Sequence, residues 1–220
     1  MTQTGSQMAL PLAWPADPRA DAFIVSPSNA AAVHALEHWG AWPTRAAILT
    51  GPRKSGRSLL ARIFAAKSGG TILDDADRLP EADVFHAWNR AQETRRPLLI
   101  VAEAEPPVWP VKLPDLRSRL AASAHAVIQA PDDALMPQLL ARLFERRALD
   151  ARADLIDWLA ARIERSHVAV MRAVDALDQE AMERRKRLSI PFARITLVDA
   201  GIIVPPRPSS GSDRSSEEDT

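Results

Sequence analysis

The sequence predicts an α/β fold: a parallel sheet bearing a phosphate-binding loop, followed by a smaller domain built only of helices. Three observations lead there. The apolar run Ala46-Ala47-Ile48-Leu49 feeds directly into Gly51-Pro52-Arg53-Lys54-Ser55-Gly56-Arg57-Ser58, which opens an amphipathic helix. Strand-like and helix-like segments then alternate to about residue 130, the pattern of a parallel sheet covered on both faces. Beyond Asp132 the strand signal vanishes and apolar residues recur only at helical spacing.

Composition narrows the function classes. A chain of 220 residues can hold one large domain or two small ones with real cores. Lys+Arg and Asp+Glu each count 28, so net charge does not call for nucleic acid. The chain has no cysteine, which excludes a disulfide frame or thiolate metal site and fits a reducing cytosol. No apolar run approaches the ~20 residues that cross a bilayer, and the N-terminus lacks a signal-peptide layout. The expectation is a soluble, cytoplasmic protein with no membrane partner.

In chain order, residues 1–18 read as a disordered tail carrying one apolar hexamer, Gln7-Met8-Ala9-Leu10-Pro11-Leu12. Pro11, Pro15 and Pro18 keep it extended. Burying Met8, Leu10 and Leu12 would contribute roughly 1.5–3 kcal/mol each before ordering costs; composition leaves open whether they fold back or enter a partner's pocket. Phe23-Ile24-Val25 reads as a short strand, and Ser26-Pro27 as the start of a helix running to about Trp39. Strand 46–50, the loop, and a helix from Arg57 to about Lys67 follow, stopped by Gly69-Gly70.

Within the loop, Gly51 and Gly56 permit backbone angles that turn successive N–H groups inward, and the helix start adds its positive end. Arg57 replaces the lysine usual before the final hydroxyl residue, Ser58, so the motif is a variant; its bland reading is a strand-to-helix turn with no ligand. Strand 71–73 then runs into Asp74-Asp75. A nucleotide fold places its Mg²⁺-side carboxylate at such a strand end, Asp74, with a water-activating acid beside it, Asp75. Helix 81–92, buried strand 98–102, a proline-stiffened loop, helix 116–122 and strand 125–129 complete the α/β domain, 19–130. Helices near 132–147, 152–165, 167–186 and 191–200 form the second domain, 131–202, before an acidic tail, 203–220.

The order of phosphate loop, Asp-Asp strand end, Leu113-Pro114-Asp115-Leu116-Arg117-Ser118-Arg119-Leu120 and a helical lid ending in Ser189-Ile190-Pro191-Phe192 resembles the AAA+ part of the bacterial replication initiator DnaA. It resembles the Hda-type regulators of that family more closely, and the likeness spans roughly residues 7–200. In these terms the N-terminal hexamer resembles the family's sliding-clamp-binding peptide, which favours a partner pocket over fold-back. The resemblance implies that Gln7, Met8, Leu10 and Leu12 dock on the β sliding clamp of DNA polymerase III. It implies that Gly51, Gly56, Arg57, Ser58, Asp74 and Asp75 face a nucleotide, ADP or ATP with Mg²⁺ beside Asp74, and leaves a nucleotide-free state open. It makes Arg119 an arginine finger acting in trans on a nucleotide bound by a neighbouring DnaA. A permanently charged, planar fork suits that role; the alternative for Arg119 is an ordinary surface ion pair.

Departures from the family pattern shape the functional expectation. Family members carry a further strand and helix before the metal-side Asp, whereas here only residues 68–70 intervene after Lys67, leaving four strands. Val101 stands where a polar sensing residue is usual, and Val168 where the lid carries a phosphate-sensing arginine, with Arg165 and Arg172 off register. Hydrolysis of its own nucleotide is therefore expected to be weak, since losing one such contact typically costs ~10²–10³ in rate. The expected function is a regulator that binds the clamp and promotes hydrolysis of DnaA-bound ATP. The alternative is a self-acting AAA+ ATPase of loader or remodeller type. Homo-oligomers fit either reading, and sequence-specific DNA binding fits neither, as no helix-turn-helix follows the lid.

Overall fold

The computed structural model describes residues 23–204. By its contacts the chain divides into two compact units between Leu135 and Met136. The first is built on a four-stranded, wholly parallel sheet of β1 (Ala46–Thr50), β2 (Thr71–Leu73), β3 (Leu98–Val101) and β4 (Ala124–Val127), in the spatial order β2-β3-β1-β4. β1 is central, and all five of its residues are buried. A parallel strand covered on both faces must be apolar throughout, which is what the run from Ala46 to Leu49 supplies.

Adjacent residues of β1 serve opposite cores because side chains alternate across a strand. Leu49, with Val101 and Ala126, packs against α1 (Pro27–Glu37) and α2 (Arg57–Ser68) through Val33, Leu36, Leu60 and Phe64. Ile48, with Ile100, packs against α3 (Glu81–Thr94) and α4 (Pro114–Ala121) through Val84, Ala91, Leu116 and Leu120. Each such fully buried side chain contributes roughly 1.5–3 kcal/mol.

Phe23-Ile24-Val25, read from the sequence as a strand, forms no ladder. Asn29, buried inside the first turn of α1, donates from Nδ2 to the Ile24 carbonyl at 2.9 Å and accepts at Oδ1 from the Ser26 amide at 2.9 Å. A helix cap thus takes the hydrogen bonding that a sheet neighbour would have taken. β4 also begins and ends earlier than 125–129, although the Ile128 amide still bonds the Thr50 carbonyl at 2.9 Å. After it, Asp132 accepts the Ser28 amide at 2.8 Å through Oδ2 and the Leu135 amide at 2.7 Å through Oδ1, fastening the end of the sheet to the start of α1.

The second unit comprises α5 (Leu135–Arg146, its first residue belonging to the first unit), α6 (Ala153–Ala160), α7 (His167–Arg184) and α8 (Ile190–Asp199). Leu140, Phe144, Leu159, Val174, Leu177 and Leu197 form its core. Ser166 and Ser189 cap α7 and α8, their hydroxyls accepting the Ala169 and Phe192 amides at 3.1 and 3.4 Å. α6 stops at Ala160 instead of about 165, and Ser166, the cap of α7, stands outside helical geometry at φ −141°. Among the described residues no helix is long and apolar enough to cross a membrane.

Candidate functional site

The loop of residues 51–58 leaves the C-terminal end of the central strand and enters α2. Its two glycines are demanded by geometry. A Cβ on Gly51 would lie 2.9 Å from both the Ile128 carbonyl oxygen and the Ile128 Cβ, and Gly56 sits at φ +88°, where its Cβ would meet the Phe23 ring at 3.1 Å. The loop is therefore drawn tight against the sheet end, with Lys54 also in the left-handed region at φ +66°. Ser55 is buried, and its Oγ has no hydrogen-bond partner. An orphaned hydroxyl beside a helix start is the kind of donor a phosphate oxygen satisfies. Ser58 stands exposed on the first turn of α2. Arg57 does not project freely: its guanidinium donates to the Ala102 carbonyl just past β3.

Asp74 and Asp75 follow β2, and β3 lies between β2 and β1. Both are exposed; Asp74 Oδ1 accepts the Asp75 amide at 3.0 Å, and Asp75 takes φ +48°. Among the described residues no group of three or more His, Cys, Asp or Glu side chains is arranged to hold a metal. The donor set thus fits an anion at the loop amides, and Asp74 could serve only as one carboxylate of a cation shared with phosphates. Val101 is buried and apolar at the end of β3.

Three residues that sequence reasoning did not single out gather at the same sheet end. Glu105 Oε1 accepts from the Thr50 hydroxyl at 3.5 Å and pairs with His125 Nδ1 at 3.1 Å, tying the root of the phosphate loop to β4. His125 also lines a cleft of about 640 Å³ with Pro106, Trp109, Val111 and Leu120. Asp77, after β2, accepts the Glu103 amide at 3.3 Å.

Arg119 lies in the last turn of α4 with its side chain 27% exposed. Its guanidinium donates to Asn89 Oδ1 on α3 and to Asp115 Oδ2 at 3.1 Å, one turn back on its own helix. It also stands over the rings of Phe85, 4.6 Å from the centroid, and Trp88, 4.9 Å away. Its Nε is buried with no partner. The side chain is thus neither sunk in the core nor loose on the surface: α3 supports it on two aromatic faces while one edge meets solvent. To meet a phosphate it would exchange Asn89 and Asp115 for phosphate oxygens.

In the helical unit, Val168 is 40% exposed on the first turn of α7, and Arg172 follows one turn later. His167, beside it, is buried with Nδ1 unpartnered, and burial lowers its pKa below the usual histidine value. Gln7, Met8, Leu10 and Leu12 lie outside the described residues.

Comparison with known proteins bears on the fold and on the helical unit. The family described as "Hda, lid domain" matches residues 133–197. An uncharacterized protein of Haemophilus influenzae is 27% identical over 115 residues, 52% of this chain and 50% of that protein, so the match spans half of its length. Domain III of the Thermotoga maritima replication initiation protein DnaA superposes with a TM-score of 0.67 at 16% identity, covering 83% of this chain and 95% of that one. DnaA from Aquifex aeolicus, solved with AMPPCP bound, gives a TM-score of 0.54 at 15% identity over 73% of this chain and 63% of that one. At such identities the superpositions speak for the fold, and the lid carries the narrower kinship. The chain thus places a helical unit similar to the Hda lid domain after an α/β unit with the fold of DnaA domain III.

Proposed function

We propose that this DnaA-related AAA+ regulator docks on the β sliding clamp of DNA polymerase III through Gln7, Met8, Leu10 and Leu12, and that it presents Arg119 to ATP held by an adjoining DnaA. Hydrolysis of that ATP leaves DnaA in its diphosphate form and prevents re-initiation. The observation that carries the reading is the posture of Arg119: a part-exposed guanidinium, oriented by two rings and two hydrogen bonds. Such a fork brings fixed positive charge to a transferring phosphoryl group, where arginine fingers are worth ~10³–10⁵ in rate.

The protein's own loop supports nucleotide binding better than turnover. Gly51, Gly56, Ser55 and Ser58 would hold phosphates of ADP or ATP, with Asp74 beside any accompanying Mg²⁺. Bound Mg²⁺ would neutralise phosphate charge. Arg57 is engaged with Ala102, and Val101 offers no polar atom there. The tight glycine geometry of the loop is also what favours the second reading, an ATPase acting for itself.

One assay separates them: hydrolysis of DnaA-bound ATP on clamp-loaded DNA, with parent protein, Arg119→Ala, or the Gln7→Ala/Leu10→Ala pair. The proposal expects stimulation by the parent alone, with clamp retention on a sizing column kept by Arg119→Ala and lost by the N-terminal pair. Turnover of ATP by the purified protein alone at ~1–10³ s⁻¹ would refute it and establish the ATPase.

A further inference from the structure

Two arginines of the helical unit share one indole. Arg162 Cζ lies 4.7 Å from the Trp158 ring centroid and Arg194 Cζ, from α8, lies 5.9 Å from it. Arg162 also donates to the Trp158 carbonyl at 3.2 Å. These three side chains, with Ile203 and Val204, line a cleft of about 350 Å³. Three other arginines of the unit find carboxylates: Arg147 meets Asp175 and Asp178, Arg184 meets Glu180, and Arg152 meets Asp154. Among the described residues, no ion pair joins Arg162 or Arg194 to a carboxylate. Two guanidiniums brought to one ring repel each other, and the indole offsets only part of that. A ligand bearing two or more adjacent anionic groups would complete the arrangement, and a planar fork matches a carboxylate best.

We propose that this cleft binds the chain's own acidic segment, with carboxylates among Glu217, Glu218 and Asp219 meeting Arg162 and Arg194. Two observations favour this occupant. Charge complements charge: residues 217–219 are three successive acids with no basic residue among them. The chain also passes the cleft on its way to that segment, since Val204 itself lines the pocket and Glu217 follows thirteen residues later. At ~3.3 Å per extended residue that reach is about 40 Å, ample for a return. Closing so short a loop carries a modest entropy that grows only with the logarithm of length, and it holds the acids near the cleft at an effective concentration on the order of millimolar.

The test uses the full chain, whose lack of cysteine makes Ser216→Cys a unique site for a nitroxide label. Paramagnetic broadening is read at the Trp158 indole N–H, assigned among the six tryptophans by Trp158→Phe. Broadening should be strong at low salt and fade on raising ionic strength. It should fall in Arg162→Gln/Arg194→Gln and in Glu217→Gln/Glu218→Gln/Asp219→Asn, each lowering the docked-to-free ratio roughly 2- to 30-fold for two part-exposed ion pairs. Arg162→Lys/Arg194→Lys should keep most of it. Equal broadening in every variant would mean mere tethering and would overturn the proposal, as would none in the parent. A Trp158 shift caused in the tail-neutralised chain by oligothymidylate, but not by a peptide of residues 213–220, would assign the cleft to nucleic-acid phosphate instead.

Discussion

Replacing Asp132 with asparagine tests how the sheet end is held. The carboxylate serves two amides from segments more than a hundred residues apart, Ser28 at 2.8 Å and Leu135 at 2.7 Å. Asparagine has one acceptor oxygen for two donors, and its NH₂ would face the second amide. A hydrogen bond to a charged group is worth ~1.5–3 kcal/mol and a helix-capping side chain ~0.5–2 kcal/mol. The site is only half-buried, which puts the loss near the low end, about 2 kcal/mol. At ~2–4 °C per kcal/mol for a chain this long, Tm should fall by about 4–8 °C at pH 7.

The pH dependence gives an internal check. Burial pushes the Asp132 carboxyl up, but the Leu135 and Ser28 amides, with the Ser26 and Ser28 hydroxyls, outweigh it and hold it below the usual carboxylate range. The folded state therefore favours the ionised form. Its stabilisation is complete above the unfolded value of ~3.9 and is lost as pH falls through the lower folded one. Differential scanning calorimetry from pH 7 down to pH 3 should show the gap between parent and Asp132→Asn narrowing only below about pH 4. Equal Tm values at pH 7, or a gap indifferent to acid, would refute the reasoning.

Gly51→Ala should destabilise by ~1–3 kcal/mol, because its methyl would meet Ile128 backbone and side chain at 2.9 Å, whereas Gly40→Ala, with nothing within 4 Å, should be near neutral; urea midpoints compare them. His167→Gln should flatten the stability profile below about pH 6.5. The buried imidazole, its pKa lowered, is neutral when folded, so the parent loses stability as pH drops through that range. Phe144→Ala, removing a ring 1% exposed in the lid core, should cost ~3–5 kcal/mol in chemical denaturation.

Much of this was legible because it is local. The spacing of Leu139, Leu140, Leu143 and Phe144 names a helix and its inner face before any coordinate is known, and the apolar run before Gly51 fixes the central strand. Phe23-Ile24-Val25 misled because a β-prone triplet says nothing of whether a neighbour is available; Asn29, on the next helix, took the role. The grouping of Thr50, Glu105 and His125 could not be foreseen, since it depends on three chain segments converging at one sheet end. The cradle of Arg119 was half legible: Asp115 one turn back is a helix spacing, but Phe85, Trp88 and Asn89 arrive through the packing of α3 on α4. Arg57 looked like a phosphate ligand by position, and only the fold reveals its attachment to Ala102.

The sheet ends on β2, only three residues long and followed at once by Asp74 and Asp75. Open strand margins invite foreign strands to add to them, and molecules guard against it with brevity and charge. Here the bare border offers few bonding groups, and two anions stand where an added strand would have to run on. A nucleotide fold can thus be narrowed at this side without turning its flank into a seed for aggregation.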